Sequence, residues 1–90
     1  EIKNKFSKTL KQYNVDFCIL FGDYATSTEK KDSSIELLVD SHQDIDVIAL
    51  ANELSEIINK KVNAYNFLDV MNVKEVLRKM IKSGIKIYES

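Results

Sequence analysis

The chemistry open to this chain centres on Gly22, where an apolar run from Phe17 to Phe21 stops and a polar loop begins. A strand, a glycine turn and a helix start, met in that order, aim backbone N–H groups at whatever sits over the strand end, an arrangement suited to holding a phosphate. Lys30 and Lys31 follow in the same loop, but beside Glu29 and Asp32 they read as solvent-facing charge rather than a grip on phosphates. Two other reactive side chains stand apart. Cys18, the one cysteine, lies inside the apolar run and is expected as a small buried hydrophobe, not a nucleophile or ligand. His42 is the one histidine, and with no second histidine to complete a ligand set it is expected to be exposed and without a metal role.

The elements that position these groups follow from hydrophobic period. Phe17 to Phe21 and Ile35 to Val39 are short, aromatic or β-branched and almost unbroken by polar residues, the pattern of strands covered on both faces. Between them, Tyr24 to Lys31 carries enough helix-tolerant residues for one or two helical turns. Ile2, Phe6, Leu10 and Tyr13 recur at helical spacing and predict an amphipathic helix over 2–13, ended by Asn14. Asp44 is placed to cap a helix that runs to about Asn59 on a stripe of Val47, Leu50, Ala51, Leu54, Ile57 and Ile58. Residues 61–67 alternate, with Val62 and Ala64 toward one face and Asn63 and Tyr65 toward the other, which is the period of a strand. Asn72 and Glu75 have capping-box spacing, and Val73, Val76, Leu77, Met80 and Ile81 form a helix stripe closed by Gly84. Ile85 and Ile87 then alternate with Lys86 and Tyr88, predicting a terminal edge strand.

Ninety residues predict one small domain, 1–90, with a single core. The formal net charge of −1 and a pI near 5.8 supply no overall attraction to nucleic acid, so polynucleotide binding is disfavoured. No apolar run approaches the roughly 20 residues of a membrane span, and no signal-peptide pattern is present, so a cytoplasmic setting is expected. The chain starts at Glu1, which leaves open whether residues precede it.

The stretch FGDYATSTEKKDSSIELLVD, from Phe21 to Asp40, resembles the minimal nucleotidyltransferase (MNT) domains of the DNA polymerase β-like superfamily. Those domains carry Gly-Ser, ten intervening residues and Asp-x-Asp, usually worded FGSYARGEA followed by SDIDLLVD. Here Gly22 and Asp23 stand at the Gly-Ser pair, ten residues intervene, and Ser34-Ile35-Glu36 stands at Asp-x-Asp. The resemblance extends through a helix and KVNAYN to the end of the chain. It implies an α+β, nucleotidyltransferase-like fold: a mixed β-sheet of about four strands flanked by about three to four helices.

Nucleotidyl transfer in that family is implied to use carboxylates from two neighbouring strands to hold two Mg²⁺ ions, which activate the attacking oxygen and neutralise the leaving pyrophosphate. At the implied positions this chain has Ser34 and Glu36, and the third acid, expected in the middle of the next strand, falls on Asn63. Only Glu36 is left as a metal position. Asp32 and Asp40 are each about 13 Å from it along a strand, too far to share an ion. Gly22 and Asp23 are the nucleotide-binding positions, but Asp23 replaces a serine that meets phosphates and brings a like charge there. The arginine that often follows the Tyr-Ala pair is replaced by Thr26. No catalytic residue is therefore expected, and Mg²⁺ and ATP are expected only if activity is retained.

Three functions fit. The first is a catalytically inactive binding or regulatory module, antitoxin-like, paired with a HEPN-like helical partner as the resemblance implies, or with a second copy through the terminal edge strand at Ile87 and Tyr88. The second is an active Mg²⁺-dependent transferase moving a nucleoside monophosphate onto a protein or small-molecule hydroxyl. The third is a single-site nucleotide or ion sensor.

Overall fold

In the computed structural model, which describes residues 2–90, the chain runs α1 (Ile2–Gln12), β1 (Phe17–Phe21), β2 (Ile35–Asp40), α2 (Val47–Ile58), β3 (Val62–Asn66), α3 (Phe67–Val70), α4 (Lys74–Lys82) and β4 (Ile85–Glu89). The strands form one mixed sheet in the order β3-β2-β1-β4, with β1 antiparallel to both β2 and β4, and β2 parallel to β3. The two continuous apolar runs are the central strands and the two alternating segments are the edges, as their patterning predicts. This is the expected α+β fold.

Strand alternation sends Cys18, Leu20, Ile35, Leu37, Val39, Val62 and Ala64 to one sheet face, where they pack with Phe6 and Leu10 of α1 and Leu50, Ala51 and Leu54 of α2. Phe6, Leu10, Leu50 and Leu54 are fully buried, each stabilising the fold by about 1.5–3 kcal/mol relative to exposure. The other face carries Glu36, Leu38 and Asp40 of β2, and its cover is thinner. Leu38 is fully buried there, Phe67 of α3 meets Phe17 edge-on with ring centroids 5.7 Å apart, and Met80 is the buried residue of α4.

Four local expectations change. Residues 24–31 form no helix but a turn over 23–27 followed by irregular chain: Thr26 Oγ1 donates to the Gly22 and Asp23 carbonyls, and Ser27 takes a left-handed φ of 59° that ends any helical run. The cap of α2 is Asp46, not Asp44. Asp46 is extended, at φ −87° and ψ 96°, and its side chain accepts from the Ile48 and Ala49 backbone N–H groups. The Asn72–Glu75 capping box does not form, since the cap position of α4 falls on Val73, with no side-chain bond. Asn66 instead caps the short α3 by accepting from Leu68 N–H. Finally, the α4 stripe is not core: Val73, Val76 and Ile81 are exposed. Gly84 closes α4 because of space, not φ, since a Cβ there would stand 2.5 Å from Ile19 Cγ2 and 2.8 Å from the Met80 carbonyl. No helix among the described residues is long and apolar enough to cross a membrane.

Candidate functional site

The glycine turn and Glu36 meet. Antiparallel pairing places Phe21 opposite Glu36, and the chain then turns at Gly22, whose φ of +80° is one that side chains with a Cβ resist. A Cβ on Gly22 would lie 3.3 Å from Glu36 Cγ, so the turn passes directly over this side chain. From the other side, parallel pairing places Asn63 opposite Glu36 and Tyr65 one step along the same face.

These three side chains close on one another. Asn63 Nδ2 donates to Glu36 Oε2 at 2.8 Å, and Tyr65 Oη donates to Glu36 Oε1 at 2.9 Å. The tyrosine ring packs against Phe21, with centroids 5.8 Å apart and planes tilted by 51°. Burial pushes the Tyr65 pKa above its ordinary value, and its hydrogen bond to Glu36 and the Glu36 charge add to the shift. The phenol therefore stays a donor. Neither Asn63 nor Tyr65 carries a negative charge at neutral pH, so the single carboxylate is satisfied by neutral groups.

The remaining expected site residues are placed less centrally. Ser34 immediately precedes β2 and is half-buried. Asp23 is engaged within its own loop: its Oδ2 accepts from Ser33 Oγ at 2.9 Å, and Ser33 Oγ in turn accepts from Lys30 N–H at 2.8 Å. The carboxylate thus pins the loop that connects β1 to β2. Asp40 closes the far end of β2, opposite Phe17, and Asp32 lies in the loop. Lys30 and Lys31 are exposed. His42 is exposed as expected but not solitary, because Nδ1 is 3.0 Å from Asp16 Oδ1. Cys18 is buried, and burial pushes its thiol pKa up to about 12, as expected of a packing residue.

Beside the turn lies an open groove of about 450 Å³, walled by Phe21, Gly22, Asp23 and Thr26 on one side and by Val76, Lys79, Met80 and Ser83 on the other. A phosphate seated there would meet one carboxylate and one ammonium. Mg²⁺ demands near-octahedral oxygen ligands and uses anionic ones to offset its dehydration. Ser34, Glu36 and Asn63 offer one hydroxyl, one carboxylate with both oxygens already accepting, and one amide nitrogen turned toward that carboxylate. Among the described residues no cluster of three or more His, Cys, Asp or Glu side chains forms. This donor set does not fit a pair of Mg²⁺ ions.

Tyr65 was not singled out by sequence reasoning, although the alternation of residues 61–67 already put it on the Asn63 face. What the alternation lacked was the register of β3 against β2, which decides which carboxylate that face meets.

A mixed sheet in which a glycine turn after the first strand overlies the second strand's acidic position is a nucleotidyltransferase-like fold. Residues 4–90 match the Polymerase beta nucleotidyltransferase family, and the chain belongs to that family. Among its relatives are two candidate protein adenylyltransferases of Methanocaldococcus jannaschii: one is 31% identical over 70 residues, covering 74% of this chain and 75% of that protein, and the other is 37% identical over 67 residues, covering 70% and 68%. Among solved structures, a chain of a toxin–antitoxin complex with AMP-PNP superposes with a TM-score of 0.85 at 20% identity, covering 98% of this chain and 73% of that one. A chain from the complex of a tri-AMPylated Shewanella oneidensis HEPN toxin with MNT antitoxin gives 0.74 at 20% identity, covering 99% and 71%.

Proposed function

We propose that this chain is a nucleotidyltransferase-fold module that works by binding a protein partner, antitoxin-like, and not by transferring a nucleotide. The observation that carries this reading is the Glu36 carboxylate, whose two oxygens are both taken by neutral donors from β3. Freeing it for a metal gives up two partly exposed hydrogen bonds, each about 0.5–1.5 kcal/mol, and a lone carboxylate returns too little charge to offset dehydration of the ion. Asp23 adds a like charge where a triphosphate would lie, worth on the order of 4 kcal/mol at 4 Å and an effective dielectric of 20. On this reading Ser34, Glu36 and Asn63 are not catalytic, and the module needs neither Mg²⁺ nor ATP.

The partner we assign is a helical protein of the HEPN type. Its support is the structural likeness to chains from toxin–antitoxin complexes, one of them an HEPN toxin with its MNT antitoxin. A cytoplasmic setting suits a chain whose one cysteine is a free, buried thiol.

A second reading, an active transferase that places AMP on a protein hydroxyl, is favoured by the description of the relatives as candidate protein adenylyltransferases and by the retained turn at Gly22. Labelled ATP with Mg²⁺ separates the two. The binding reading expects no label on the chain or on added protein. It also expects that the combined variant Asp23→Ser, Ser34→Asp, Glu36→Asp, Asn63→Asp gains Mg²⁺-dependent ATP binding by calorimetry while single reversals gain little, because two metals need the whole ligand set. Transfer of AMP by the unaltered chain, stopped by Glu36→Ala, overturns it.

A further inference from the structure

Two rows of side chains run side by side along α4. Val73, Leu77 and Ile81, four residues apart, make an apolar row, and Lys74, Arg78 and Lys82, each one position on, make a basic row next to it. The apolar row has the spacing of a buried stripe, yet Val73 is 48% and Ile81 46% exposed, Leu77 is half-buried, and Met80 is the residue that turns inward. Leu77, Arg78, Ile81 and Lys82 line a shallow groove of about 430 Å³ on this surface.

The charge is as uneven as the hydrophobicity. α4 holds four cations and one anion, Glu75, in a chain whose net charge is −1. The ion pairs found among the described residues are Asp16–His42 and Lys86–Glu89, so none compensates α4.

We infer that this face of α4 docks an amphipathic helix of a protein partner that carries an apolar row bordered by acidic side chains. Rows at four-residue spacing are the ridges that interdigitate with those of a second helix, and burying the apolar row while an acidic row faces Lys74, Arg78 and Lys82 satisfies both features at once. A polynucleotide would use the basic row and leave Val73, Leu77 and Ile81 in water. A membrane-lying helix presents Trp, Phe or Leu at its exposed apolar positions, whereas those positions here are Val73, the cap residue of α4, and Ile81, with Leu77 half-buried between them. The inference rests on the partner-binding reading and adds the surface and the chemistry of the partner.

The probe is a fluorescent synthetic helix of about five turns with leucines along one i, i+4 row and glutamates along the row beside it, followed by anisotropy against the full chain. Saturable binding is expected, weakening several-fold as salt rises from about 50 to about 300 mM. Ile81→Glu should weaken it by about tenfold or more with an unchanged far-UV circular dichroism spectrum. The triple reversal Lys74→Glu, Arg78→Glu, Lys82→Glu should lose the acidic helix and gain a version with lysine in place of glutamate, a gain that an unfolded variant cannot produce. Absence of saturable binding, binding indifferent to both variants, or tighter binding to phosphatidylserine vesicles or duplex RNA than to the helix would overturn the assignment. AMP transfer in the labelling experiment would unseat the binding reading without altering these titrations, and a helix that binds away from α4 would unseat only the surface.

Discussion

Tyr65 Oη donates to Glu36 Oε1 at 2.9 Å across the parallel pairing of β3 with β2. With Asn63 on the other oxygen, the acidic position of the site becomes a clasp between an edge strand and a central strand. The same two hydrogen bonds contribute to holding β3 in place.

Tyr65→Phe should therefore destabilise the fold by about 0.5–1 kcal/mol at pH 7 to 9, the range of a partly exposed hydrogen bond. The sign of its pH dependence follows from the raised phenol pKa. The folded state favours the neutral phenol, so its contribution is fully present below the unfolded value of 10.0 and is lost as pH rises through the higher folded value. Urea denaturation of both proteins should show the difference between them narrowing above pH 10. A constant difference through that range would contradict the raised phenol pKa.

Two glycine substitutions should fail for different reasons. Gly22→Ala imposes a Cβ at a φ of +80°, next to Glu36 Cγ, and should cost about 1–3 kcal/mol through backbone strain. Gly84→Ala leaves φ unstrained but drives a Cβ against Ile19 and the Met80 carbonyl, a clash of the overpacking kind worth about 1–3 kcal/mol. Hydrogen exchange distinguishes them, with Gly84→Ala expected to lose protection in α4 and Gly22→Ala near the β1–β2 turn.

The cap of α2 gives a paired test. Asp46→Ala removes the acceptor of the Ile48 and Ala49 N–H groups and should cost about 1 kcal/mol by chemical denaturation. Asp44→Ala, two residues upstream and exposed, should stay within about 0.5 kcal/mol. Equal effects would show that the acidic charge, not the cap bond, is what helps the helix.

Cys18 should be silent in the native state. Its thiol is buried and its pKa is pushed up to about 12, so the reactive thiolate is scarce at neutral pH. Maleimide labelling should proceed only as fast as the core opens and become immediate in denaturant. Rapid labelling of the folded chain would contradict the packing of β1.

Period and turn chemistry were enough to locate β1, β2, β3, β4, α1 and α2 to within a residue or two, because each buries a face whose side chains must recur at 2 or 3.6 residues. The spacing from Gly22 to Glu36 likewise pointed to one cleft, since a turn between two paired strands brings those positions together whatever fills the loop. Asp46 over Asp44 was decided by which residue took extended backbone at the helix start, a choice that neighbouring acids leave open in sequence, and the start of α4 fell one residue past Asn72, on Val73. The exposure of Val73, Val76 and Ile81 was tertiary too: an amphipathic stripe states that a face wants cover, but of this stripe Met80 is the residue that is buried. The clasp on Glu36 needed the register of β3 against β2, because a slip of one residue would have turned both Asn63 and Tyr65 to the opposite face.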